Sequence, residues 1–143
     1  MFRGEFTHSI DAKGRVIVPA KFREELGDSF VVTKGLDGCL YGFTNEDWEV
    51  FENKLAGLPL TNMDSRKFAR FFLAGAADAD IDKMGRILLP QNLREFASLD
   101  KDVVVVGMAK RIEIWDKARW EENQANNDME EIASNIDSLG IML

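Results

Sequence analysis

The sequence has very few of the residues that usually carry catalysis or bind metals. It contains one cysteine, Cys39, and one histidine, His8. One cysteine cannot form an intrachain disulfide, and the two residues together are too few for a zinc site. A catalytic triad would have to use His8 beside Ser9 or Cys39, but neighbouring residues of a strand point to opposite faces. We therefore predict no catalytic site, no metal site and no cofactor.

Other common functional patterns are also missing. Three acids alternate in one predicted strand: Asp78, Asp80 and Asp82. They could attract Mg²⁺, although a solvated edge strand is the better interpretation. Neither Gly14 nor Gly85 belongs to a nucleotide-binding glycine loop. No window approaches the roughly 18 apolar residues of a membrane span, and residues 1–6 lack the apolar run of a signal peptide. We expect a cytoplasmic protein with no membrane partner and no small-molecule substrate.

Positive charge is also scarce, since 18 basic residues face 25 acids and the net charge is −7. Residues 121–143 account for six of the seven net negative charges and contain no Lys or Arg. In contrast, the first 24 residues hold five basic groups and three acids. Phosphate binding depends on local charge, which salt screens beyond roughly 8 Å. The acidic total therefore does not exclude a nucleic-acid partner.

What the chain does contain is an internal repeat. Residues 10–19, Ile-Asp-Ala-Lys-Gly-Arg-Val-Ile-Val-Pro, are echoed by residues 81–90, Ile-Asp-Lys-Met-Gly-Arg-Ile-Leu-Leu-Pro. Beyond each proline comes an apolar residue followed by Arg-Glu, at residues 22–24 and 93–95. After a one-residue offset the echo continues through these pairs: Gly35 and Gly107, Leu40 and Ile112, Phe43 and Trp115, Trp48 and Trp120. Two copies predict a pseudo-symmetric pair rather than a solenoid.

Each copy predicts the same order of elements. A short strand leads into an Asp-x-x-Gly-Arg hairpin turn, an apolar strand, and a short helix that begins near a proline. Two further strands and a longer helix follow. The predicted segments are strands 16–18 and 87–89, helices 20–26 and 91–97, strands 30–33 and 103–106, and strands 39–43 and 111–115. Thr44 and Asp116 are expected to cap the longer helices.

Two more helices are predicted outside the repeated strands. The first covers residues 63–73 after a break at Pro59, with Thr61 or Asn62 as its cap. Its aromatic residues Phe68, Phe71 and Phe72 are predicted to face the core, and its basic residues to be solvated. A single polar helix is predicted over residues 121–138. Its narrow apolar stripe, Met129, Ile132 and Ile136, should pack on a neighbouring subunit or on its own domain.

The paired hairpin turns have a structural interpretation of their own. In each, aspartate and arginine stand four residues apart across a tight turn and could pair to hold it closed. Glycine supplies the positive φ that such a turn needs. We assign this turn-locking role to Asp11, Gly14, Asp82 and Gly85. The role is compatible with DNA binding by the same turns.

These residues resemble a known family. The segment from Asp11 to Pro19, followed by Phe22-Arg23-Glu24, is similar to the AbrB-type swapped-hairpin DNA-binding motif. The tandem pair, the Met-Phe-Arg-Gly start and the segment Arg-Lys-Phe-Ala-Arg-Phe-Phe-Leu at residues 66–73 narrow the resemblance to the MraZ family. It covers residues 1 to about 138.

The resemblance implies an α+β fold in which two tandem swapped-hairpin units form one pseudo-symmetric double-psi or swapped-hairpin β-barrel with flanking helices. It implies a homo-oligomeric ring that binds double-stranded DNA at short G-rich direct repeats. The regulated genes would be the division and cell-wall cluster and the protein's own gene, generally by repression at the nucleoid. We expect unit 1 over residues 5–47, connecting helices over 48–75, unit 2 over 76–119 and an acidic helix or tail over 120–143.

The resemblance also assigns DNA contacts residue by residue. The motif's arginine corresponds to Arg15 and Arg86, and arginine is well suited to read guanine bidentately. Contacts to phosphates would position the protein without reading the sequence. We expect them at Lys13, Lys83, Arg3 and His8. In the second copy, Met84 stands where the first has lysine, and the lysine lies one place earlier.

Alternative functions remain open. An antitoxin-like module of the same superfamily would bind a protein through its C-terminal segment, but such modules usually have one hairpin unit and a disordered tail. A purely structural ring is a second alternative. An enzyme is disfavoured because a second histidine, a cysteine pair and a nucleotide motif are all missing.

Overall fold

The computed structural model describes residues 1–140, which form eight strands and six α-helices. The strands are β1 (Glu5–Ser9), β2 (Arg15–Ile17), β3 (Ser29–Lys34), β4 (Leu40–Phe43), β5 (Ala77–Asp80), β6 (Arg86–Leu88), β7 (Asp102–Met108) and β8 (Arg111–Asp116). The helices are α1 (Ala20–Leu26), α2 (Asn45–Ala56), α3 (Met63–Gly75), α4 (Gln91–Phe96), α5 (Lys117–Ala125) and α6 (Met129–Asp137).

The strands of each repeat pair mainly with those of the other. Four antiparallel pairs cross between the halves: β1 with β7, β2 with β6, β3 with β5, and β4 with β8. Only the hairpins β3–β4 and β7–β8 stay within one repeat. The halves are therefore interleaved rather than side by side, and the predicted α+β fold of tandem swapped-hairpin units is confirmed.

The eight strands form two sheets. Six strands form one sheet in the order β1-β7-β8-β4-β3-β5, and β2 and β6 form a second ladder. A bridge between Ile10 and Val16 links β1 to β2. A single closed barrel remains a prediction, as do the domain boundaries.

The six-stranded sheet separates two hydrophobic clusters. Because neighbouring residues of a strand face opposite sides, β3 sends Phe30 and Val32 into one cluster and Val31 into the other. The first cluster packs under the β2–β6 ladder, α1 and α4. The second packs under α2 and α3, around Trp48 and Phe72. The ladder and the α2–α3 pair thus lie on opposite sides of the sheet.

Most predicted helices and caps are confirmed. Thr44, Asn62 and Asp116 accept hydrogen bonds from backbone amides three residues ahead and so cap α2, α3 and α5. In α3, Phe72 is buried and Phe71 is partly buried. The prediction that Phe68 faces the core is wrong in part, because this residue contacts Phe72 but is 44% exposed to solvent.

The prediction of one helix over residues 121–138 is wrong. α5 begins at Lys117 and ends at Ala125, and α6 begins at Met129. Asn126 and Asn127, which are poor helix formers, separate the two. Asp128 then accepts hydrogen bonds from the amides of Glu130 and Glu131 and starts a new helix.

We predict that the β2–β6 ladder owes its stability to its inner side chains. Ile87 is 1% exposed and its neighbour Leu88 is 59% exposed. Ile87→Ala should lower the free energy of unfolding by about 2–5 kcal/mol, because it leaves a cavity in the first cluster. Leu88→Ala is the matched control and should change it by less than about 0.5 kcal/mol. Urea unfolding followed by circular dichroism checks both, and equal effects would contradict this account of the ladder.

Candidate nucleic-acid interface

The outer side of the β2–β6 ladder brings together the two arginines predicted to contact DNA. In the register, Arg15 lies opposite Leu88, Val16 opposite Ile87, and Ile17 opposite Arg86. Val16 and Ile87 point into the core, so the other four side chains point outward. We call the surface of Arg15, Ile17, Arg86 and Leu88 the ladder face. The two arginines sit diagonally on it, about 7–8 Å apart by strand geometry.

The turn of the first repeat is held by one carboxylate. Asp11 Oδ1 accepts from the amides of Lys13 (3.0 Å) and Arg15 (2.9 Å). Asp11 Oδ2 accepts from the Nε of Arg15 at 2.7 Å. Gly14 has a φ of 85° and donates to the Asp11 carbonyl. The donated hydrogen bonds, that of the Arg15 amide foremost, hold the pKa of Asp11 below its ordinary 3.8.

The turn of the second repeat has the same geometry. Asp82 Oδ1 accepts from the amides of Met84 and Arg86, each at 2.9 Å, and Oδ2 accepts from the Nε of Arg86 at 2.9 Å. The φ of Gly85 is 79°. The Arg86 amide is again the main reason why the pKa of Asp82 lies below 3.8. In both turns Nε is the only guanidinium nitrogen that donates to the carboxylate, so the guanidinium is oriented through that nitrogen.

Two arginines that sequence reasoning passed over support these turns from the opposite repeat. Arg94 donates from Nε to the Leu89 carbonyl at 2.9 Å, and its guanidinium lies against Gly14. Arg23 donates from Nε to the Val18 carbonyl at 3.0 Å and lies against Gly85. A β-carbon at Gly14 would come within 2.6 Å of the Arg94 guanidinium, so a larger residue would displace that side chain as well as strain a φ of 85°.

The sequence did contain the pattern that marks these two residues. Each Arg-Glu pair follows its turn at the same distance in both copies. Nothing in one copy, however, shows that its arginine contacts the turn of the other copy. That contact exists only because the strands are exchanged between the repeats.

The surroundings of the two turns differ in charge. Lys13 lines a groove with Arg94, Gln91 and the acids Asp78 and Asp80. Both acids are exposed on β5, outside any cluster of three or more metal-binding residues in the part of the chain that the structure describes. In the repeat alignment Thr7 and Ser9 occupy the matching positions of β1. The first turn thus combines Lys13 with nearby acids, whereas the second has Lys83 and Met84.

Two predicted contact residues, Arg3 and His8, are not part of the ladder face. Arg3 precedes β1 at the end distant from the turn, and the five residues of β1 between them span about 16 Å at roughly 3.3 Å per residue. His8 is partly buried on the same side of β1 as Phe6. Burial, and secondarily the charge of Arg23, lower the pKa of His8 below 6.5 and so favour its neutral imidazole.

The remaining candidates for chemistry are embedded in the fold. Cys39 is fully buried, and this burial raises the pKa of its thiol to about 12. The thiolate needed for nucleophilic attack is therefore negligible at neutral pH.

Among residues 1–140, no helix is both long and apolar enough to cross a bilayer.

Comparison with known proteins gives one consistent result. The family model described as "MraZ protein, putative antitoxin-like" matches residues 1–71 and again residues 72–138. Three relatives are each named "Transcriptional regulator MraZ", and alignment covers 99% of this chain and the whole of each relative. They come from Clostridium tetani (56% identical), Acetivibrio thermocellus (54%) and Thermoanaerobacter sp. strain X514 (57%).

We predict that acid opens both turns. Asp11 and Asp82 have lowered pKa values, so the stabilisation they give is present above pH 3.8 and is lost as the pH falls through their folded values. The amide NMR signals of Arg15 and Arg86 should shift together below pH 3.8. In the control variant Asp82→Asn, only Arg15 should keep this acid-dependent shift. Signals that do not move between pH 5 and pH 2 would show that the carboxylates do not hold the turns.

We also predict that the supporting arginines act across the repeats. Arg94→Ala should shift the amide signal of Gly14 and leave that of Gly85 in place, and Arg23→Ala should do the reverse. Each removes a hydrogen bond from a charged donor and should cost about 1–3 kcal/mol of stability. Each variant is the other's control in two-dimensional NMR spectra. Shifts confined to the turn of the mutated repeat would contradict the crossed contacts.

Proposed function

The chain belongs to the MraZ family, and on this basis we propose that it is a transcriptional regulator that binds double-stranded DNA through its ladder face. Its relatives are named transcriptional regulators, and they align with this chain over their full length. Such a regulator acts on the chromosome, so we place it at the nucleoid in the cytoplasm. The proposal needs no catalytic residue and no cofactor.

The observation that carries the proposal is the pair of arginines on one two-stranded ladder. The major groove of B-DNA admits a two-stranded ribbon, and β-ribbon regulators insert strands there. Arg15 and Arg86 project from such a ribbon on the side away from the core. Both could then enter the same groove, and we propose that the two copies of the motif contact DNA together.

The arginines are oriented before DNA arrives. Their Nε atoms are bound to Asp11 and Asp82, and no hydrogen bond of the described residues uses their terminal nitrogens. Those nitrogens form the fork that fits guanine O6 and N7. Because the side chains are already held, less rotamer entropy is lost on binding. This fits the proposed preference for G-rich sites.

We assign the phosphate contacts by position relative to the ladder face. Lys13 and Lys83 lie at the exposed tips of the turns and would meet the backbones that flank the groove. Arg23 and Arg94 stand beside the same turns with only their Nε atoms engaged. Arg3, which precedes β1, and His8, which lies on β1, are outside the ladder face, so we propose smaller contributions from them.

Self-association would explain how an acidic chain binds DNA tightly. One ladder face offers only a few basic groups. A ring-shaped homo-oligomer would present several of them to successive direct repeats, which raises the effective concentration without new contacts. We propose this arrangement at repeats upstream of the division and cell-wall gene cluster and of the protein's own gene, with repression as the result.

A protein-binding function is the second candidate. The family model's description includes an antitoxin-like role, and α6 presents exposed apolar residues that such a partner would cover. This candidate needs no DNA contact by the ladder face, so the DNA measurement below distinguishes the two.

We predict a division of labour between arginine and lysine in DNA binding. Arg15→Ala and Arg86→Ala should each lose about 1–3 kcal/mol of preference for the native upstream repeats over scrambled DNA. Lys13→Ala should weaken binding to both duplexes alike and lower the salt slope by about one. Fluorescence-anisotropy titrations at two salt concentrations measure this.

Lys54→Ala is the control for these variants, because Lys54 is exposed on α2 across the sheet from the ladder. It should change neither the preference nor the slope. Equal losses on native and scrambled DNA for the arginine and lysine variants would contradict the assignment. No preference in the wild-type chain would overturn the proposed function.

A further inference from the structure

Helix α6 carries a one-sided apolar stripe that residues 1–140 leave uncovered. Met129, Ile132, Ile136 and, one turn on, Leu139 are spaced three or four residues apart and so share one side. No residue of α6 is buried, and Met129 and Leu139 are 59% and 70% exposed. Exposed apolar area costs about 25 cal/mol per Å² relative to burial. Four such residues in line therefore favour a covering surface.

The same helix is strongly acidic. Glu130, Glu131 and Asp137 are exposed beside the stripe, and residues 121–143 contain no basic residue. None of these three acids forms an ion pair among residues 1–140. A membrane surface, which attracts basic amphipathic helices, is a poor match. A basic and partly apolar protein surface is a good one.

Helix α3 of this chain provides such a surface. Its outward side carries Met63, Lys67 and Arg70, spaced four and three residues apart, with Arg66 and Leu73 beside them. All five are exposed, and the only acid on the helix is Asp64. The ion pairs of the described residues involve none of its basic groups. The exposed apolar residues suit a protein partner better than a phosphate backbone.

The position and size of the two helices also match. α3 packs on the second hydrophobic cluster, across the sheet from the ladder face, so its use leaves the ladder free for DNA. The nine residues of α6 extend about 14 Å and the thirteen of α3 about 20 Å, at roughly 1.5 Å per residue. α6 can therefore lie along α3 over its full length.

We infer that α6 of one copy docks on α3 of a second copy, with its apolar stripe against Met63 and Leu73 and its acids beside Lys67 and Arg70. The contact joins different surfaces of the two copies. Repeated from copy to copy it is heterologous, and it closes into a ring when the rotation permits. The inference deepens the proposed self-association and rests on it, but does not depend on DNA contact.

Charge reversal in the full-length chain tests the contact. The α3 variant is Lys67→Glu with Arg70→Glu, and the α6 variant is Glu130→Lys with Glu131→Lys. Sedimentation velocity without DNA should show wild-type assemblies, whereas each variant alone falls toward the 16.2 kDa chain. An equimolar mixture of the two variants should recover the assembly, because each supplies the charge that the other now needs. Recovery also shows that both variants are folded.

The matched control reverses two acids on another helix. Glu46 and Glu49 are exposed on α2, and Glu46→Lys with Glu49→Lys changes the net charge as the α6 variant does. This control should assemble like the wild type. Ile132→Ser provides a second test that leaves all charges in place, and it should raise the apparent dissociation constant of assembly at least tenfold.

Several results would overturn the inference. They are a monomeric wild type, variants that assemble normally, a mixture that does not recover, or a control that fails like the α6 variant. Loss of DNA binding by the α3 variant at unchanged mass would assign α3 to DNA instead. DNA titrations on the same samples separate the two proposals, since a wild type that assembles but ignores its repeats contradicts the proposed function alone.

Discussion

The structure depends on one exchange, the antiparallel pairing of β2 from the first repeat with β6 from the second. This short ladder places Val16 against Ile87 over the first hydrophobic cluster and leaves two arginines on its outer side. β2 and β6 pair as strands only with each other among the described residues, and a single bridge connects β2 to Ile10. The core and the proposed DNA surface are therefore two sides of the same pairing. A change in register by one residue would bury the arginines and expose the core.

Around this ladder, each functional group is held by parts of both repeats. Asp11 holds Arg15 from within the turn, while Arg94 of the other copy lies against Gly14. The second turn repeats the scheme with Arg23 and Gly85. Because this support crosses between the repeats, one repeat alone does not contain all the groups of the site. The two turns are nevertheless unequal, because acids from β5 lie only beside the first.

Much of the fold follows from the sequence because its patterns are local. The Asp-x-x-Gly-Arg turns, the caps at Thr44 and Asp116, and the alternation of Val16 with its neighbours all depend on residues a few positions apart. The roles of Arg23 and Arg94 could not be predicted, because they depend on strand exchange over some 70 residues. The break between α5 and α6 was not predicted because the apolar stripe begins only at Met129, beyond it, although Asn126 and Asn127 mark the break. The partial burial of His8 could not be predicted either, because it depends on which side of β1 faces the core.

The central claim is that the ladder face, and not the helical side of the sheet, meets DNA. A photocrosslinker attached to cysteine tests it directly, since the native Cys39 is buried. Leu88→Cys places the probe on the ladder face, and Val50→Cys places it on α2 with similar exposure. The account predicts a crosslink to duplex DNA carrying the native repeats from position 88 and none from position 50. A crosslink from position 50 alone would contradict it.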